Sequence, residues 1–175
     1  MTRHNPHGPP DGGSAMETTR HITATTYVVN DGTTALHEHE RLGKWLPPGG
    51  HLDRDELPHE SAVREVREEI GLEARLVADA DDITSPTVRS LPQPHHVQLA
   101  DVNVYDGHVG HQHVDLVYYG HVDSQAIDPA DGEAPAEAWR WFTPKALGAD
   151  VVDPDVTRIG RRAIEVVRKQ ERKRS

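Results

Sequence analysis

The sequence predicts a mixed α/β sandwich, and three observations carry that expectation. Several short segments alternate apolar and polar residues with period two, as half-buried strands do. Two longer segments carry an apolar stripe at helical spacing. The length, 175 residues, suits one domain with a real core.

In chain order, residues 1–17 are rich in Pro, Gly and His without apolar periodicity, and cannot bury enough surface to offset ordering entropy. They are expected to form a flexible tail, within which Met16 offers an alternative start. A single domain is expected over residues 18–170, with a basic, fraying tail over 171–175. His21–Asn30 reads as a first strand, Asp31-Gly32 as its turn, and Thr34–His39 as the returning strand. Lys44-Trp45-Leu46 leads into the Pro47-Pro48-Gly49-Gly50 loop. Pro58–Ile70 reads as a helix that admits Pro58 in its first turn and stops at Gly71. Leu72–Ala78 is expected as a strand and Asp79–His96 as a Pro-bearing loop. Val97–Tyr105 and His113–His121 are expected as strands around a Gly107–Gly110 turn. After a loop at Asp128–Pro135 comes a strand, Ala138–Phe142, and Asp155–Lys173 closes the chain as a helix.

Composition removes several function classes. There is no cysteine, which excludes disulfides, thiolate metal sites and thiol nucleophiles. A net charge of −10 repels nucleic-acid backbones, so no nucleic-acid partner is expected. No apolar run is long enough to span a bilayer and no signal-peptide pattern opens the chain, so a soluble cytoplasmic protein without a membrane partner, monomer or homodimer, is expected. With 15 Arg to 4 Lys and 16 Asp to 13 Glu, the balance resembles that of chains from high-salt cytoplasms.

The chemistry concentrates in GHLDRDELPHESAVREVREEIGL, Gly50 to Leu72. On a helix, Glu65, Glu68 and Glu69 fall within roughly 100° of one another. Val63, Val66 and Ile70 gather opposite and can pack on a sheet. Like charges at these spacings repel unless something neutralises them, and carboxylate oxygens suit a hard divalent cation. Arg64 is placed to hold a glutamate by a bidentate pair. Three glutamates alone, in an acidic chain, describe no more than a solvated helix face.

More than that is present. Gly50, Glu56, Arg64, Glu65, Val66, Glu68, Glu69, Gly71 and Leu72 match all nine fixed positions of the Nudix box, G-x5-E-x7-R-E-U-x-E-E-x-G-U. At typical residue frequencies such a match arises by chance on the order of once in a million. The stretch therefore resembles the Nudix hydrolase family, MutT-like members included, and by strand order the likeness runs over roughly residues 23–147. It implies an α/β/α sandwich with a mixed central sheet and a hydrolase that cleaves a diphosphate linkage. It also implies bound Mg²⁺, for which Mn²⁺ can stand in. Glu65, Glu68 and Glu69 would be the principal metal ligands, with Glu56 assisting. Arg64 would orient a carboxylate, and Gly49, Gly50 and His51 would meet the substrate. Family members differ in their general base, some taking it from the box and others from a distal loop. Besides Glu65 and Glu69, this chain offers Glu133, which we favour, and Glu137.

The box reports the diphosphate, not its substituents. A nucleoside triphosphate, normal or oxidised, suits the chain's length; ADP-ribose, a nucleotide sugar or a dinucleotide is the alternative. A non-catalytic ligand-sensing domain is the alternative of another class. The isomerase branch of the fold uses a cysteine that this chain lacks. Of 13 histidines, His111 and His113 flank Gln112 and share a strand face, and His95 adjoins His96. Zinc needs three or four convergent ligands, so such pairs describe surface or pocket residues more often than a metal site. Trp45, Tyr27, Tyr118 and Tyr119 could stack a base, although aromatics in strands are more often core.

Overall fold

The computed structural model describes residues 18–174. The expected tail over residues 1–17 lies outside them. β1 (Thr19–Asn30) runs through the middle of a mixed sheet. It turns at Asp31-Gly32, both with positive φ (45° and 71°), into β2 (Thr33–His39). β3 (Lys44–Leu46) pairs with β2, and β4 (Gly49–His51) pairs antiparallel with β1. Helix α1 spans Pro58–Ile70. Then come β5 (Arg75–Leu76), a small hairpin of β6 (Thr84–Ser85) and β7 (Val88–Arg89), and the long hairpin of β8 (His96–Tyr105) and β9 (His108–His121). β10 (Trp139–Phe142) and α2 (Pro154–Arg174) complete the chain.

The sheet order is β10-β2-β1-β9-β5, with β1 and β9 parallel over Thr19–Val29 and His111–His121. Period-two alternation sends Ala24, Thr26 and Val28 to one face and Tyr27 and Val29 to the other. α1 covers the first face with Ala62, Val66 and Ile70. α2 covers the second with Val156, Ile159, Ala163, Ile164 and Val167. The result is the expected α/β/α sandwich with a mixed central sheet. No helix among the described residues is long and apolar enough to cross a membrane.

Several sequence expectations are corrected. Ala62, not Val63, completes the buried stripe of α1, because i, i+4 and i+8 follow one line down the helix. Only Arg75–Leu76 of the expected 72–78 strand pairs, against His121 and Gly120 at the sheet margin. The 79–96 loop contains the β6–β7 hairpin, turned at Pro86-Thr87. The expected turn at Gly107–Gly110 is instead Asp106-Gly107, both at positive φ (47° and 76°), so β9 begins at His108. This is the primed turn whose twist matches the flanking strands. A 3₁₀ turn, Ala136–Ala138, precedes β10. α2 runs from Pro154 through Arg174, one residue beyond the expected helix Asp155–Lys173 at each end. Tyr27, Tyr118, Tyr119 and Trp45 are all buried, in line with core packing rather than base stacking.

α1 starts at Pro58, whose missing N–H costs nothing there, with the Glu60 carboxylate accepting the Leu57 N–H at 3.0 Å. It stops at Gly71, whose φ of 70° places it in the left-handed region. A Cβ at this position would overlap the Asp128 backbone carbonyl. Gly71→Ala is thus expected to cost about 2 kcal/mol or more, strain and collision adding. Urea denaturation checks this: the midpoint should fall with the m-value unchanged, and a wild-type midpoint would refute the account.

Candidate active site

The pair Gly49-Gly50 puts backbone where no side chain fits. A Cβ on Gly49 would collide with the Ala24 carbonyl and Thr25, and one on Gly50 with the Glu65 carboxylate. This closeness lets the Gly49 N–H donate to Glu69 Oε2 at 3.3 Å. β4 is thereby drawn against the acidic face of α1.

Arg64 organises the remaining carboxylates. Its Nε donates to Glu56 Oε1 at 2.8 Å and its Nη2 to Glu56 Oε2 at 2.9 Å, a bidentate fork. Its Nη1 donates at 2.9 Å to both Glu65 Oε1 and Glu68 Oε2. Nη2 also reaches the His51 carbonyl at 3.1 Å and Ser61 Oγ at 3.3 Å. Glu56 additionally accepts the Asp53 N–H at 3.2 Å. One guanidinium therefore gathers three of the four glutamates at fixed box positions, Glu56, Glu65 and Glu68, and ties them to β4.

The environments divide these carboxylates. Arg64 holds Glu56 below the usual carboxylate range. Burial raises Glu65 against the pull of Arg64. Glu69 is pushed up to about 8, by burial first and then by Glu65, with Glu133 and Glu68 adding repulsion. A single arginine does not balance this many acids. Hard oxygen donors held so close, one already driven toward protonation, fit a divalent cation such as Mg²⁺ or Mn²⁺.

Glu69 borders a cleft of about 740 Å³ that opens between the sheet and its surrounding loops. Gly49, Gly50, His51, Glu69 and Glu133 line it together. Glu133 reaches it from the loop before β10, whereas Glu137 sits in the 3₁₀ turn and is not among the lining residues. Glu56, Arg64, Glu65 and Glu68 stand behind, joined to the cleft through the Arg64 network.

Two features escaped sequence reasoning. Asp115, largely buried in the cleft wall, accepts hydroxyl bonds from Thr23 and Thr25 at 2.9 Å each. Burial raises its carboxyl above the usual range. Both bonds fall on Oδ1, so Oδ2 is the oxygen left for a ligand. An Asp inside a β-branched and aromatic strand was the available signal, since strands are depleted in Asp. His21, the second feature, stands with His51, His111 and His113 at the end of the sheet. No spacing in the sequence announces that meeting.

The molecule is thus a mixed sheet between two helices, with an acid-lined helix beside a cleft. A family model described as NUDIX domain matches residues 19–164, and the chain belongs to the NUDIX family. Solved structures agree. A NUDIX-family hydrolase from Clostridium perfringens is 29% identical with a TM-score of 0.74, covering 85% of this chain and 99% of its own. A MutT NUDIX hydrolase from Burkholderia pseudomallei shares the fold at 23% identity and a TM-score of 0.54, over 85% of this chain and 98% of its own. So does a MutT protein from Methanosarcina mazei Go1, at 18% identity and a TM-score of 0.58, over 85% and 96%.

Proposed function

We propose that this hydrolase cleaves the diphosphate linkage of a nucleoside triphosphate, normal or oxidised, with Mg²⁺ as its cofactor and Mn²⁺ as a substitute. The observation that carries this reading is the meeting of Glu69 and Glu133 with Gly49-Gly50 at one cleft, with Glu65 and Glu68 close enough behind Glu69 to raise its carboxyl. Glu65, Glu68 and Glu69 would hold the cation, with Glu56 assisting. When bound, the cation neutralises the diphosphate and lowers the pKa of the attacking water. Arg64 keeps the carboxylates in place through its fork. The backbone at Gly49 and Gly50 admits the diphosphate closely, and His51 beside it offers a ring nitrogen to a phosphate oxygen.

In the reaction, water adds to phosphorus through a new P–O bond, the bridging P–O bond breaks, and monophosphate and pyrophosphate leave. The water proton passes to a carboxylate. We favour Glu133 as its acceptor, because it approaches from a loop and Arg64 does not restrain it. Asp115 Oδ2 offers a polar contact to a substrate group in the same cleft.

The test is a product assay with Mg²⁺ over normal and oxidised nucleoside triphosphates, ADP-ribose, nucleotide sugars and dinucleotides. Pyrophosphate release from a triphosphate is expected. Exclusive cleavage of ADP-ribose or another diphosphate ester would overturn the substrate class. Absence of turnover on every arm would favour a ligand-sensing domain instead.

A further inference from the structure

The sequence places His111 and His113 on one strand face, two ligands short of a metal site. The strand register supplies the others. β1 lies between β4 and β9, with Thr23 opposite His51 on one side, and with Thr19 opposite His111 and His21 opposite His113 on the other. In-register neighbours share a face, and so do residues two apart on one strand. All four imidazoles consequently emerge on one face at the end of the sheet, beside the mouth of the cleft.

They meet closely. Ring centroids are 4.6 Å apart for His21 and His111, 5.1 Å for His21 and His51, 4.8 Å for His51 and His113, and 5.0 Å for His111 and His113. One ring nitrogen from each of His21, His51 and His111 lies within 4.8 Å of the other two. Ligands on a tetrahedral ion at about 2.05 Å stand about 3.3 Å apart, so the rings must close by a modest rotation. His21 and His51 are exposed, which leaves that rotation unobstructed by packing.

A neighbouring group prepares one ligand. The Thr19 hydroxyl donates to the Gly110 carbonyl at 3.3 Å. With the hydroxyl so engaged, the Nδ1–H tautomer of His111 donates to the Thr19 oxygen at 2.7 Å and presents Nε2 as the ligand atom. A hydrogen bond to the far ring nitrogen is how ligating histidines are oriented. The donor set also differs in kind from the glutamate centre. Imidazoles suit Zn²⁺, Ni²⁺ or Cu²⁺, whereas Mg²⁺ prefers oxygen.

We propose that His21, His51 and His111, with His113 as a fourth ligand, form a second metal site for a borderline divalent ion of the Zn²⁺ or Ni²⁺ kind, separate from the glutamate centre. Its ion would staple β4 and β9 to β1 at the lip of the cleft. The proposal shares only His51 with the proposed diphosphate site and rests otherwise on residues that site does not use.

The test is calorimetric titration of the untagged full chain with Zn²⁺ under saturating Mg²⁺, with Co²⁺ visible spectra as a second readout. One Zn²⁺ equivalent is expected in the native chain and in Glu69→Gln. His21→Asn and His111→Asn should each weaken it by at least about tenfold, and Thr19→Val by about tenfold through loss of orientation. Since Thr19→Val removes no ligand, it also decides the matter should a histidine variant fail to fold. Wild-type affinity in His21→Asn and His111→Asn would overturn the proposal. So would loss of the Zn²⁺ equivalent in Glu69→Gln, which would place the ion among the glutamates.

Discussion

Glu69→Gln should lower turnover by at least about a hundredfold, the scale for removing charge stabilisation from a transition state, while leaving the metal-free fold more stable above neutral pH. The two effects share a cause. Burial and the neighbouring Glu65 push the Glu69 carboxyl up to about 8 from its ordinary 4.5. A folded-state pKa raised in this way contributes stability that is fully present below the unfolded value. That stability is lost as pH rises through the folded value. Without a divalent ion, the native chain should melt at progressively lower temperature from about pH 4.5 to about 8. The loss would amount to a few kcal/mol at the upper end. Glutamine, uncharged throughout, should flatten this slope, and Mg²⁺ should flatten it in the native chain by stabilising the carboxylate. Thermal melts across this pH range, with and without Mg²⁺, check it together with kcat. A Glu69→Gln enzyme of native activity would place the catalytic cation elsewhere.

Arg64→Ala should damage both stability and rate. The guanidinium bonds Glu56, Glu65 and Glu68 at 2.8–2.9 Å and is 22% exposed, with Glu56 and Glu65 each 13% exposed. Its removal leaves poorly solvated carboxylates facing one another. Partner loss at a fully buried pair costs roughly 3–5 kcal/mol; discounted for partial solvation, about 2 kcal/mol is expected here. Turnover should fall by about tenfold to a hundredfold, because the carboxylates lose their common anchor. Arg64→Lys keeps the charge but not the planar fork, and so should restore stability better than rate. Urea denaturation beside steady-state kinetics separates these effects. Native values of both in Arg64→Ala would remove Arg64 from the organisation of the site.

Mg²⁺ should offset part of the Arg64→Ala destabilisation, since a bound cation replaces some of the missing positive charge. The His21–His51–His111 group should be indifferent to the same ion. That contrast makes the two centres separable in one set of melts, with Mg²⁺ in one arm and Zn²⁺ in the other.

The glutamate face is legible in the sequence because it is local. Glu65, Glu68 and Glu69 share one helix, whose pitch alone brings them together, and Pro58 and Gly71 mark its ends. Asp31-Gly32 likewise announces its hairpin. Asp106-Gly107 carries the same signal, yet the glycine and histidines that follow draw the expected turn too far along the chain. The choice between Glu133 and Glu137 is open in the sequence because both sit in one irregular segment. Only the packed loop puts Glu133 at the cleft.

By itself, then, the sequence determined the acidic helix, its caps and the family to which they belong. These depend on spacings of a few residues, over which backbone geometry is nearly invariant. Tertiary structure alone decided that the fork of Arg64 closes on Glu56, that Asp115 rests on Thr23 and Thr25, and that four histidines from three strands meet. The last two depend on the register between β1 and β9, strands about ninety residues apart in the chain. Register is set by which faces the whole sheet buries, and a slip of β9 by one residue would turn His111, His113 and Asp115 to the other side.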